Sequence, residues 1–127
     1  MGVRTLLIAL LVASGLATAV ALRIHHRDSE RSHRRALVHV LEGRITAYAR
    51  EKVATHELDG PILHTRCLPF EDLHQGDLHV HRGRYSCVAI TRQTQFNYSG
   101  HIFIGLIDYS SGRIRFYRTG IPSYLGI

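Results

Sequence analysis

Three hydrophobic rhythms follow one another along the chain. From Thr5 to Leu22, TLLIALLVASGLATAVAL, apolar and small residues run without a single charge. From Ala36 the apolar positions thin to Leu37, Leu41, Ile45, Tyr48 and Val53, at steps of three to five residues, which draws a stripe along one side of a helix. Beyond Pro61 the period shortens to two, and β-branched and aromatic residues accumulate as they do in strands. Between the first two rhythms, residues 23–35 (RIHHRDSERSHRR) hold Ile24 as their one apolar side chain. Such a stretch cannot bury itself, so it is either a solvated linker or a polar extension of a neighbouring helix.

The helical stripe predicts an element that ends near Leu58, where Gly60-Pro61 supplies a stop. Gly43 costs that helix about 1 kcal/mol relative to Ala, which marks a bend or a close packing contact. Residues 62–68, 85–94, 101–109 and 113–119 read as strands, with 77–82 as a candidate short fifth. In HIFIGLIDY, Ile102, Ile104 and Leu106 share one face while Phe103 and Ile107 take the other, the signature of a central strand covered at least partly on both sides. Tyr109-Ser110-Ser111-Gly112 then forms a tight turn with Gly at a positive φ. The predicted architecture is α+β: an N-terminal transmembrane or signal helix, then one amphipathic helix packed on an antiparallel sheet of four to five strands. Residues 1–22 are the anchor or signal, 23–35 the basic polar linker, and 36–127 one small domain.

The apolar segment fixes where the chain resides. Its eighteen residues make a helix of about 27 Å, against about 30 Å of bilayer core, so membrane contact through residues 5–22 is feasible and marginal. A cleaved secretory signal is the rival, with Arg4 as n-region, Leu6 to Val12 as apolar core, and Ala17-Thr18-Ala19 or Ala19-Val20-Ala21 as cleavage pattern. Orientation signals conflict. Arg23, Arg27, Arg31, Arg34 and Arg35 follow the segment, and the positive-inside rule would hold them in the cytoplasm. The only two cysteines, Cys67 and Cys87, lie in neighbouring strand segments and suit one disulfide in an oxidising compartment. A loop of that size, once closed, stabilises a small domain by about 3 kcal/mol. The expected topology is single-pass with an extracytoplasmic domain; secretion after cleavage and a cytoplasmic domain are the alternatives.

Charge narrows the partners. Sixteen basic residues, fifteen of them Arg, against ten acids leave +6, so the domain is drawn to anionic surfaces. An anionic envelope component or a protein partner fits this balance. Nucleic acid is disfavoured, since the arginines are scattered and no binding motif occurs. Arg82, Arg84, Arg113, Arg115 and Arg118 are the candidate contacts, with Arg113 and Arg115 on one strand face; an ordinary solvated face is the bland alternative.

Ten histidines invite a chemical reading. In HQGDLHVH, His79 and His81 project from the same side of an extended chain, and with His74 they could hold Zn²⁺ or Cu²⁺. No HExxH or CxxC pattern supports such a site. His25-His26 offers a pH-sensing alternative, because imidazole gains charge in mild acid. No cofactor fingerprint is present, and no nucleophile, base and acid satisfy the requirements of a catalytic site, so a non-catalytic domain is expected.

The segments TRC at 65–67, RYSCVAI at 84–90 and GLIDYSSGRIRFY at 105–117 together resemble a loose group of small single-span proteins from high-GC bacteria. In these, two strand cysteines precede a hydrophobic hairpin with a D-x-x-x-G-R turn. The resemblance covers residues 36–118 and implies an exported, disulfide-bearing α+β domain of bacterial origin. It carries no catalytic residues.

Overall fold

The computed structural model describes residues 2–70 and 80–119. One helix, α1 (Val3–Ala54), is followed by β1 (His64–Pro69), β2 (Arg82–Gln93), β3 (Tyr98–Asp108) and β4 (Arg113–Arg118). The strands form one antiparallel sheet in the order β1-β2-β3-β4. The fold is thus α+β, as the change of hydrophobic period implies. Of the candidate fifth strand, residues 77–79 lie outside the described residues, and Arg82 opens β2.

The two helical segments expected from the sequence are one element. Residues 23–35 are helical throughout, which makes them a polar extension and not an unstructured linker. They contain no Gly or Pro to interrupt the run, and Arg and Glu are good helix formers. The chain divides into two compact units, Met1–His33 and Arg34–Ile127. In the first, the segment is long and apolar enough to cross a membrane, and none of its apolar window is buried within the chain. A helix that is apolar all round and buries none of that surface fits a membrane anchor or a signal segment.

In the second unit the stripe meets the sheet. Leu41, Ile45 and Ala49 are fully buried, and Leu37, Val38, Tyr48 and Val53 pack at their margins. The facing side of the sheet supplies Tyr85, Cys87, Ala89, Phe103 and Ile107. Leu41 sits over Gly105, where a Cβ would fall 2.5 Å from Leu41 Cδ2. Tyr48 sets its ring edge-on to Phe103 and Phe116, with centroids 5.9 and 5.5 Å away. A Cβ at Gly43 would meet nothing within 4 Å, so of the two expectations there, a bend or a close packing contact, the contact is absent.

The helix ends earlier than Leu58. His56 adopts a φ of 61°, and the amides of Glu57 and Leu58 turn back to donate to the Lys52 carbonyl at 2.8 and 3.2 Å. A left-handed residue of this kind closes a helix by satisfying its last carbonyls. Gly60-Pro61, joined by a cis bond, therefore follows the stop and does not cause it.

A polar row on the helix, Glu42, Thr46 and Arg50, follows the edge strand β1. Glu42 Oε2 accepts the Cys67 amide at 2.9 Å, the hydroxyls of Thr46 and Thr65 are 2.7 Å apart, and Arg50 Nη2 donates to the Ile62 and Leu63 carbonyls at 3.3 and 3.2 Å. Spacing of four residues keeps all three on one side of the helix. Cys67 stands opposite Cys87 in the register, and the two form a disulfide with Cα atoms 4.0 Å apart. At the last hairpin Gly112 has a φ of 72°, the positive value expected from the sequence.

Replacing Gly105 with Val should lower unfolding stability by about 1–3 kcal/mol, the usual cost of overpacking a core. Gly43→Ala should raise it by about 1 kcal/mol, the helix propensity difference alone. Urea unfolding of the full chain in detergent, followed by circular dichroism, measures both, and equal effects at the two glycines would contradict this packing.

Candidate functional site

Alternation along the strands gives the sheet two faces, and directly opposed residues share one of them. With Phe103, Gly105 and Ile107 turned to the helix, Ile102, Ile104, Leu106 and Asp108 belong to the far face. The register then builds two rows across β2, β3 and β4. One is Arg82, Asp108, Arg113; the other is Arg84, Leu106, Arg115. Four arginines that are separated by up to 33 positions in sequence are thereby gathered at one end of a single face. All four are exposed, and no described carboxylate lies within ion-pairing distance of any of them.

Arg118 does not join them. It stands opposite Phe103 on the helix side of the sheet, where its charge contributes to holding the Glu57 carboxyl below its usual range, after the larger effect of Lys52. Arg118 lies three positions after Arg115, and an odd offset on a strand reverses the face.

Arg82, Arg113 and Arg115 line a cleft of about 280 Å³ whose other walls are Gly83, Leu106, Ile107 and Asp108. Arg84 stands beside it with its guanidinium 4.8 Å from the centre of the Phe70 ring, a cation–π contact that holds this side chain at the rim. Asp108 Oδ1 accepts the amides of Ser110 and Ser111 at 3.0 and 3.2 Å. The Ser111 amide is the main reason its carboxyl is held below the ordinary aspartate range, with the Ser110 amide and the Arg82 charge adding to it against some desolvation. It is therefore an ionised acceptor inside a cationic cleft.

The reverse side of the cleft is a buried polar cluster. Gly83 lacks the Cβ that would collide with the Tyr109 hydroxyl, and this hydroxyl is hydrogen-bonded to that of Tyr85. Arg34, itself buried, lies 4.2 Å over the Tyr109 ring and donates to the Val80 carbonyl at 2.8 Å. Burial first, then the Tyr85 hydroxyl, raises the Tyr109 phenol well above the usual 10.0, while Arg34 pulls in the opposite direction.

Of the metal candidates, His74 and His79 lie outside the described residues, and His81 is exposed just before β2. Among the described residues no three His, Cys, Asp or Glu converge to hold a metal ion. Both thiols are consumed in the disulfide, which removes them as nucleophiles. Compared with protein-family models, curated proteins and solved structures, the chain matches none.

The Tyr109 shift gives a testable sign. The folded state keeps this proton more tightly than the unfolded state, so stability falls as pH rises past 10.0. Ultraviolet titration of the folded chain should show a phenolate component that ionises later than the rest, and Tyr109→Phe should remove it. A single transition in both proteins would contradict the burial and hydrogen bonding described here.

Proposed function

We propose that this chain is a membrane-anchored, non-catalytic domain that lies outside the cytoplasm and binds an anionic envelope component through the far face of its sheet. The observation that carries this reading is the gathering of Arg82, Arg84, Arg113 and Arg115 on one exposed surface, where no carboxylate among the described residues forms an ion pair with any of them. Guanidinium groups gathered on one surface repel each other, and a bound anion relieves that repulsion. Leu106, 38 % exposed between Arg84 and Arg115, gives the surface an apolar centre as well.

The disulfide supports the extracytoplasmic side. Oxidised cysteine pairs persist where thiols are not continually reduced. The arginines after Leu22 oppose this under the positive-inside rule, but that rule describes a bias in insertion, whereas a disulfide requires an oxidising compartment. The exposed apolar run of residues 5–22 supports the anchor.

Full-length protein in uncharged nanodiscs should bind acidic polymer at low ionic strength and release it as salt rises, because exposed charges are screened over about 8 Å in physiological salt. Arg113→Glu with Arg115→Glu should reduce that binding at least about tenfold, a loss of about 1.4 kcal/mol. Binding by the double variant equal to that of the parent would refute the proposed face. For the topology, thiol alkylation with and without reductant should reveal the Cys67–Cys87 bond, and protease added to intact spheroplasts should digest the domain. Two freely alkylated thiols in a protected domain would reverse the orientation.

A further inference from the structure

We infer that the cleft between Arg82, Arg113 and Arg115 is a site for a phosphorylated polyol, with the phosphate on the arginines and a hydroxyl on Asp108. This deepens the proposed anionic ligand and rests on that reading. Three features of the cleft select the chemistry.

The first is the arrangement of the cations. Arg82 lies two strands away from Arg113 and Arg115, on the opposite flank of β3. Neighbouring strands are about 4.8 Å apart, so the Cα atoms of the two flanks stand about 10 Å from one another, and Arg113 and Arg115 are about 7 Å apart along β4. Guanidinium groups approaching from both flanks and from two levels suit a tetrahedral oxyanion, whose oxygens point in several directions. A carboxylate presents two oxygens in one plane and is satisfied by one arginine fork.

The second feature is Asp108. A carboxylate in the middle of a cation-lined cleft repels a bare anion. Its Oδ1 is committed to the turn amides of Ser110 and Ser111, which keep it ionised and fixed in place. A carboxylate accepts at both oxygens, and a hydroxyl that donates to Oδ2 turns the repulsive group into a recognising one. A ligand that carries both phosphate and hydroxyl satisfies the whole lining.

The third is size and floor. Leu106 lies one row along β3 from Asp108, between the arginine flanks, and offers an apolar surface to the carbon skeleton that joins the two polar groups. The cleft volume, about 280 Å³, is at the lower end of small-molecule sites, which start at about 300 Å³. One polyol phosphate unit fits this space, either as a repeat of a soluble polymer or as a lipid headgroup.

The experiment uses the full chain in phosphatidylcholine nanodiscs with three soluble polymers of matched length: poly(glycerol phosphate), polyphosphate and poly-glutamate. Poly(glycerol phosphate) should bind at least about tenfold more tightly than either of the others, equivalent to about 1.4 kcal/mol. Arg115→Gln should weaken it to the level of poly-glutamate. Asp108→Asn, which preserves an oxygen for the turn amides, should bind polyphosphate more tightly than the parent does and so lose the preference. A fourth arm replaces part of the phosphatidylcholine with phosphatidylglycerol and follows the Arg115 side-chain resonance: a shift there without polymer assigns the ligand to the lipid headgroup, and a shift with polymer alone assigns it to the soluble source. Equal binding of all three polymers, unchanged by Asp108→Asn, would overturn the polyol phosphate site while leaving a general basic surface intact. Absence of binding in every arm at low salt would overturn both. Unfolding midpoints of the two variants equal to the parent's separate a lost site from a lost fold.

Discussion

The close seat of Leu41 over Gly105 is the contact on which the rest of the domain depends. A helix packs against a sheet only as near as the largest side chains between them allow, and the missing Cβ at Gly105 lets the Leu41 methyls descend onto the β3 backbone. That approach brings Ile45 and Ala49 into the core on one side of Leu41 and Arg34 onto the Tyr109 ring on the other. It also places Glu42, one position along, where its carboxylate reaches the Cys67 amide. One hollow in the sheet thus sets the height, the rotation and the lateral position of the helix.

Once the helix is seated, parity distributes everything else. Phe103 and Ile107 face inward with Gly105, and their alternate neighbours must face outward, which sends Arg82, Arg84, Arg113 and Arg115 together to the far side. A slip of one residue in the pairing would bury these guanidinium groups under α1 and expel Phe103 and Ile107, an exchange far more costly than the stability of a small domain. The basic face is consequently as firmly specified as the core. Its hairpin is held independently by the Asp108 turn, so the charges of β4 are presented by a structured loop.

Much of this was legible from the chain. The uncharged run to Leu22, the stripe at Leu37, Leu41 and Ile45, the alternation in HIFIGLIDY, the glycine at the last turn and the pairing of the two cysteines all follow from local rules, and the structure contains each of them. What escaped was contact between distant parts. Glu42, Thr46 and Arg50 carry no signal in the helical period, yet they hold the edge of β1. Arg34 belongs by composition with the charged stretch before it, and only the tertiary position of Tyr109 draws it into the interior. Gly43 and Gly105 look alike in the sequence, and the space around them is opposite. For the basic site, the strand period already separates Arg115 from Arg118; the meeting of Arg82 with Arg113 needed the register of three strands.

The two margins of the sheet are guarded by different means. At β1 the outward amide of Cys67 is occupied by Glu42, so an approaching strand finds that donor already taken. Along β4, Arg113, Arg115 and Arg118 are all exposed, and a second copy arriving margin to margin would bring the same three cations against them. Like charge along this border therefore disfavours the pairing of two copies through the backbone.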